Sequence, residues 1–385
     1  MPVMIDAVRT AIGRRDGALS AEHPVRLLGD VQRTLVERAG IEAGAVEQVI
    51  GGCVTQVGEQ SFNTTRLAWL DAGLPIEVGA STLDCQCGSS QHACHLISSQ
   101  ISAGAIATGI ACGVESMSRV AIGANARGPG KPKPPGFAHE LPHQFVAAER
   151  IARKHGITRE HADEFALGSQ TRAQDAARCG RLAAEITPVT VPAPAPERGA
   201  GTAPAAVVDH DECPRPSTAA GLARLEPMLE DGIHTAGNTS QISDGAAAVL
   251  WMDEALAHLR GLRPRARIRA QVLVGTDPHL HIEGPIDATR RLLAQAGMQI
   301  SDIDLFEINE AFASVVLAWQ RTFDVARERI NVNGGSIALG HPMGATGARL
   351  IGTAVGELER RGEGTALIAM CCGSAVATGT ILERV

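Results

Sequence analysis

A chain of 385 residues exceeds what one compact core usually supports, so two or more subdomains are expected. With 44% apolar and 20% charged residues, it carries ample core material for a globular protein. The net charge of -7 excludes a broad basic field and with it general nucleic-acid binding, while leaving room for a local patch that holds an anionic ligand.

The nine cysteines are odd in number, scattered and set in apolar runs, which fits a reducing cytosol rather than a disulfide framework. Tyr is absent and nearly all of the 35 basic residues are arginine, which reads as genome composition. Met1-Pro2-Val3-Met4-Ile5-Asp6 lacks a signal-peptide pattern. No apolar run is long enough to span a bilayer, and Leu382-Glu383-Arg384-Val385 carries no peroxisomal or lipidation signal. A cytoplasmic protein without membrane association is the expectation.

In chain order, Val25-Arg26-Leu27-Leu28 through Leu35-Val36 has helical spacing closed by Ala39-Gly40, and Val46 through Val54 reads as a buried strand. Ser81-Thr82-Leu83-Asp84-Cys85-Gln86-Cys87-Gly88-Ser89-Ser90-Gln91-His92-Ala93 then reads as an extended segment, a tight turn and a helix running toward Ile101. A cysteine just ahead of that helix meets unpaired N–H groups and the positive end of the dipole, both of which favour a thiolate. From this stretch alone, a nucleophilic Cys87 and a buried inert one are equally good readings. Ala107 through Gly113 is another strand entering a turn. Helices alternating with buried strands imply a largely parallel or mixed sheet covered on both faces.

The middle differs. Gly128–Gly136 and Val191–Gly201 are loops by composition, and between them Gln144–His155 and Arg159–Cys179 are amphipathic helices. From residue 265 the opening pattern returns. Leu292 through Gly297 followed by Ile303–Phe306 parallels Ala39-Gly40 followed by Val46–Val49. The same offset sets Cys87-Gly88-Ser89-Ser90 against Gly344-Ala345-Thr346-Gly347, and Ala111-Cys112-Gly113 against Cys371-Cys372-Gly373. Three matches in one order indicate an internal duplication with a loop-rich insert.

A duplication brings equivalent turns together, so the second half should supply partners for Cys87. Asn309-Glu310-Ala311-Phe312 ends a strand, Asn333 through Gly347 presents His341 in a turn rich in glycine, and Met370-Cys371-Cys372-Gly373 ends the last buried strand. A nucleophilic cysteine, a histidine and a second thiol form a workable acyl-transfer set. Glycine-packed flanks favour a working His341 over a satisfied core histidine, whereas Cys371-Cys372 read locally as two small apolar residues at a strand end. Cys85, Cys87, His92, Cys94 and His95 crowd together as zinc ligands do, but the turn breaks the extended segment and the histidines lie along a helix leading away, so no metal is expected.

Asp84-Cys85-Gln86-Cys87-Gly88-Ser89, Ser240 through Ala248, Asn309–Phe312, Asn333–Gly347 and Cys371-x-Gly373 resemble, in order, the motif set of the thiolases, CoA-dependent acyltransferases. The resemblance runs from Val8-Arg9-Thr10 to Ile381-Leu382-Glu383. Gly51–Gln56, Ile110–Gly113 and Ile233–Gly237 resemble stretches of actinobacterial thiolases that shorten steroid side chains.

The resemblance implies an α/β thiolase fold of two duplicated halves in a five-layer αβαβα arrangement, each half a mixed five-stranded sheet. The halves would be residues 1–115 plus 240–264 and residues 265–385, with 116–239 a loop domain over the CoA. It implies that Cys87 accepts the acyl group, that His341 activates it and, with a water held by Asn309, holds the thioester oxygen, and that Cys371 is the second acid/base. N–H groups of Cys87 and Gly373 would form a second oxyanion hole. His143 and Ser240 match positions lining the pantetheine of CoA and Arg215 one beside the nucleotide; Lys131 and Lys133 read as a solvated loop. Coenzyme A would be a co-substrate with no permanently bound cofactor, in a homodimer or homotetramer that degrades 3-ketoacyl-CoA. Biosynthetic condensation of acetyl-CoA and a non-catalytic acyl-CoA-binding subunit are the competing readings. Ser90 stands where the family usually has glycine or alanine, and Ser374-Ala375 where it has two glycines.

Overall fold

The computed structural model describes residues 1–191 and 205–385; the compositional loop at 192–201 lies outside the described residues. The first half contributes strands β1 (Pro2–Thr10), β2 (Gln48–Gly52), β3 (Gly79–Leu83), β4 (Thr108–Ser116) and β5 (Ser243–Asp253). The second contributes β6 (Ala266–Gly275), β7 (Leu305–Ile308), β8 (Thr365–Cys372) and β9 (Val376–Arg384). The principal helices are α1 (Pro24–Ala39), α2 (Thr64–Asp71), α3 (Ser89–Ser102), α4 (Gln144–Lys154), α5 (Arg159–Arg178), α6 (Pro285–Ala296), α7 (Ala313–Phe323) and α8 (Met343–Arg361).

The first sheet runs β3-β2-β4-β5-β1, parallel through its first three members and antiparallel after. The second runs β7-β8-β9-β6 by the same rule, and one pairing, Met4 with Ala266, joins the two. Strand β4 is buried at every residue, as a central strand covered on both faces must be. The duplication extends to helix ends: α1 and α6 both start on proline and stop at a left-handed glycine, Gly40 (φ 64°) and Gly297 (φ 65°).

Helices α3 and α8 form a layer between the sheets, each touching strands of both; α1 and α2 cover the outer face of the first sheet and α6 that of the second, giving the αβαβα stack. In α8, Leu350, Ile351, Val355 and Leu358 are all buried, each contributing about 2 kcal/mol of hydrophobic stabilisation. The two central helices cross closely because they meet on glycine, where a methyl on Gly347 would run into the backbone of Gln91; α8 also seats closely on β4, where a methyl on Gly113 would meet the Gly344 carbonyl.

The second half departs from the expected five strands. Where the counterpart of β3 should lie, only Ile330 pairs, parallel to Phe306 of β7. The next residue, Asn331, takes a left-handed φ of 47°, which ends the extension. Its side-chain amide then does the work of a neighbouring strand, accepting from Ile308 N–H (2.8 Å) and donating to the Ile308 carbonyl (2.8 Å).

Candidate active site

Cys87 stands between β3 and α3. Asp84 Oδ1 accepts from Gln86 N–H (2.7 Å), and Ser89 Oγ accepts from Cys85 N–H (2.9 Å) while donating to the Gln86 carbonyl (2.6 Å), so two side chains close the turn. Gln86 pays with a left-handed φ of 51°. The thiol that results is 5% exposed. Burial pushes it up to about 12, with the negative charges of Glu115 and Asp84 adding; the N–H groups of Cys87 and Gly373 pull the other way. The helix N-terminus therefore does not produce the standing thiolate that the turn suggested, because desolvation outweighs two oriented amides.

His341 occupies the equivalent place ahead of α8 and is 4% exposed. Thr346 Oγ1 donates its single proton to the Pro342 carbonyl (2.9 Å), so it accepts from His341 Nδ1 (2.7 Å). That network assigns the proton to Nδ1 and leaves Nε2 as the basic nitrogen, 3.4 Å from Asn309 Nδ2. Burial first, and then the Arg349 charge, push the imidazole down to about 3. Asn309 is oriented in turn, its N–H bound to the Ala369 carbonyl (3.0 Å) and its Oδ1 accepting from Ser336 Oγ (2.6 Å). Arg349 Nη2 reaches the same Ser336 at 3.5 Å.

Glu115, buried at the end of β4, accepts from Val54 N–H, Thr55 N–H, Gln60 Nε2 and Gly344 N–H at 2.9–3.0 Å. It ties the start of α8 to the loop after β2 and so fixes His341 relative to the first sheet. Cys87 packs in the same apolar cluster as Met343 and Ala345, which follow His341.

At the end of β8, Cys371 and Cys372 point to opposite faces. Cys371 lies in an apolar cluster with Ile308, Phe312 and Ala377, and burial pushes its thiol up, with Cys87 adding. Cys372 turns toward Gly88 and Thr378. The neighbouring Cys372 thiol holds the Cys85 thiol below its ordinary range against burial. Gly373 follows, and a side chain on it would meet Gln86 Oε1 at 2.8 Å. Ser374 (φ 65°) and Ala375 (φ 58°) are both left-handed, the backbone for which glycine is suited.

Of the residues singled out in the sequence, Cys87 follows β3, Asn309 follows β7, Cys371 and Gly373 stand at the end of β8, and His341 precedes α8; His341 lies against Asn309, and Cys371 and the Gly373 N–H act on Cys87. His143 caps α4 and stacks on Phe145 (centroids 5.7 Å apart), which meets Phe312 edge-on at 5.0 Å. Ser240 N–H donates to the Ala311 carbonyl (3.0 Å), so it borders the same wall. Arg215 is exposed, its N–H held by Gln170 of α5 (3.0 Å), and its side chain makes no ion pair among the described residues. Lys133 donates to the Leu141 carbonyl (2.9 Å), and both Lys131 and Lys133 are exposed. Ser90 is explained by packing, since its Oγ accepts from Ala348 N–H (2.9 Å) where α3 crosses α8. Sequence reading missed Thr346, Ser336, Arg349 and Glu115; the one available signal was a hydroxyl five residues after His341 in a turn otherwise built of glycine and alanine.

Family models described as the thiolase N-terminal domain and the thiolase C-terminal domain match residues 2–255 and 262–384. The chain is 43% identical to the steroid 3-ketoacyl-CoA thiolase FadA6 of Mycobacterium tuberculosis, across 99% of this chain and 93% of that protein. It is 39% identical to the 3-ketoacyl-CoA thiolase of Cronobacter sakazakii (100% and 99% covered) and 39% identical to the acetyl-CoA acetyltransferase of Rhizobium meliloti (99% and 98%). The crystal structure of the Bacillus anthracis acetyl-CoA acetyltransferase superposes with a TM-score of 0.91 at 36% identity, covering 100% of this chain and 98% of that one.

Proposed function

The chain belongs to the thiolase family of acyltransferases, and from that premise we propose that it cleaves 3-ketoacyl-CoA in the degradative direction through an acyl-Cys87 intermediate. The observation that supports the mechanism is geometric: Thr346 holds the Nδ1 proton of His341 and leaves Nε2, beside Asn309, as its basic nitrogen, while burial keeps both Cys87 and His341 neutral at rest. A thiol that does not ionise alone needs a base at the moment of attack, and His341 Nε2 is the free basic nitrogen of the site. As Cys87 Sγ bonds to the keto carbon, His341 takes its proton, and the carbon–carbon bond breaks to release the enolate of acetyl-CoA. Cys371 protonates that enolate. In the second half, Cys371 as thiolate deprotonates incoming CoA, whose sulfur takes the acyl group from Cys87, and the departing Cys87 sulfur recovers its proton from His341. The N–H groups of Cys87 and Gly373 serve one developing oxyanion, and His341 with Asn309 the other, each donor worth roughly 3 kcal/mol.

CoA enters as a co-substrate with His143 and Ser240 along its pantetheine arm and Arg215 toward its nucleotide, under a loop domain of residues 116–239 that separates halves formed by 1–115 with 240–264 and by 265–385. A steroid side chain as the acyl group, a homodimeric or homotetrameric assembly and a cytoplasmic location complete the reading. The relatives named 3-ketoacyl-CoA thiolase and steroid 3-ketoacyl-CoA thiolase support degradation. Those named acetyl-CoA acetyltransferase favour a second reading, condensation of acetyl-CoA. Incubation with acetoacetyl-CoA followed by intact-mass measurement is the test. An acetyl adduct on the protein that is lost in Cys87→Ala is expected, with kcat/KM for cleavage of a longer 3-ketoacyl-CoA exceeding that for condensation. No adduct and no CoA-dependent cleavage of any 3-ketoacyl-CoA overturns the reading.

A further inference from the structure

One buried imidazole has no task in the chemistry above. His281 lies between β6 and α6 and is 4% exposed; the Pro142 carbonyl lies toward its ring, but neither ring nitrogen meets a partner in good hydrogen-bond geometry among the described residues. A buried polar group without a partner costs about 1–3 kcal/mol, so a site that keeps one needs a reason.

The segment around His281 is held firmly. Two residues before it, His279 Nδ1 and Arg150 Nη2 share the carboxylate of Glu140 (2.8 and 2.7 Å), and Arg150 Nη1 also donates to the His279 carbonyl (3.3 Å). Two residues after it, Glu283 takes Lys154 Nζ and His155 Nε2, each at 2.6 Å. Both clamps anchor on α4 or its C-cap, the helix that His143 opens. From the other side, Thr276 N–H donates to the Ala375 carbonyl (2.8 Å) and Thr276 Oγ1 to the His281 carbonyl (3.4 Å). The imidazole is therefore presented on a braced segment between the cover of the site and the turn that follows Gly373. Burial, with the charges of Lys133 and His143 adding, lowers its affinity for a proton, while the Pro142 carbonyl opposes them. The ring is then neutral, with one donor and one acceptor to offer.

Resting on the thiolase reading, we propose that His281 is a specificity-determining residue that hydrogen-bonds an oxygen carried by the acyl group, a hydroxyl or a keto group beyond the reacting carbons. The ring faces Lys133 and His143 on the pantetheine side, and the acyl arm is favoured because the residues flanking His281 join the apolar cluster of Cys371. Ile282 packs in the apolar cluster that contains Cys371, Phe312 and Ile308, and Leu280 packs against it. A buried imidazole beside that apolar cluster discriminates strongly, because an acyl chain lacking the oxygen leaves it unpaired.

The test compares 3-ketoacyl-CoA esters bearing a hydroxyl at successive carbons with their unsubstituted analogues, using the whole protein, His281→Leu and His281→Gln. At one hydroxyl position the wild type should favour the oxygenated ester by about tenfold in kcat/KM. His281→Leu should bring that ratio toward one, and His281→Gln, which still offers a donor and an acceptor, should restore part of it. A wild type with no hydroxyl preference at any position overturns the role, as does a preference that His281→Leu retains. A uniform loss for both esters, with raised KM for CoA, also overturns it and puts the ring on the pantetheine. Wild-type cleavage of acetoacetyl-CoA is measured alongside: its absence sinks the thiolase reading, whereas its presence without a hydroxyl preference sinks only the proposal for His281.

Discussion

Cys87 and His341 are two buried groups held neutral by that burial rather than a thiolate–imidazolium pair. Their shifts, up to about 12 and down to about 3, share one cause, the expense of charge without water. This makes a direct prediction for alkylation by iodoacetamide. Only the thiolate reacts, so the rate on Cys87 should keep rising through pH 9 and beyond, where an ordinary thiol of about 8.5 would already level off. A plateau near neutral pH, read from the mass of the modified peptide, would mean that an ion pair exists after all. Cys87 and His341 were legible because each ends a polar, glycine-rich turn where a structural turn has no need of such a residue. Their state was not, since it depends on what the fold buries around them. Thr346, Ser336 and Arg349 stayed hidden for a related reason: a hydroxyl in a tight turn reads as turn chemistry, and an arginine on a helix reads as a solvated face. Only the crossing of α8 beneath Asn309 shows that Arg349 is buried.

At the scale of single elements, the turn joining β8 to β9 carries backbone strain beside the reacting atoms. Ser374 and Ala375 hold φ values of 65° and 58° with no glycine to absorb them. A left-handed backbone costs an alanine about 1–2 kcal/mol, and the extra freedom of glycine in the unfolded chain returns roughly 0.7 of that. Ala375→Gly should therefore stabilise the protein by about 0.5–1 kcal/mol, seen as a higher urea midpoint with an unchanged slope. A lower midpoint would show that the Ala375 side chain contributes packing worth more than its strain. The two missing glycines were visible in the sequence as a departure from the family pattern; that the backbone keeps the glycine conformation without them was not. Ser90 is the opposite case. Its hydroxyl fits the chain crossing it, and the substitution needs no functional account once Ala348 N–H is seen to use it.

Over the whole molecule, the duplicated pattern of helix, strand and glycine turn was enough to read two halves meeting at Cys87 and His341, because both halves repeat the same spacing. The fifth strand of the second half was not readable, since Asn331 replaces a strand by the hydrogen bonds of one side chain. The layered architecture also sets the response to acid. The central layer buries His341 and His95, the latter bound through Nε2 to Thr380 Oγ1 (2.7 Å), and each is pushed down to about 3 by burial. Both titrate near 6.5 once unfolded, so between 6.5 and 3 the unfolded chain binds protons that the folded one refuses, and stability must fall as pH falls. Each histidine steepens that fall by up to about 1.4 kcal/mol per pH unit. Glu357, held down at about 2, adds its loss only once pH drops below the ordinary carboxylate range. Glu307, raised to about 8, works in reverse, its contribution full below the ordinary carboxylate range and lost as pH rises through 8. The urea midpoint should thus begin to drop just below pH 6.5, above the range where carboxylates titrate, and because the proton on Glu307 offsets one imidazole, His95→Gln should remove most of the net slope between pH 6 and 5. A midpoint flat from pH 7 to 5 in the wild type would mean that the two imidazoles admit protons without unfolding, and that water reaches the layer between the sheets.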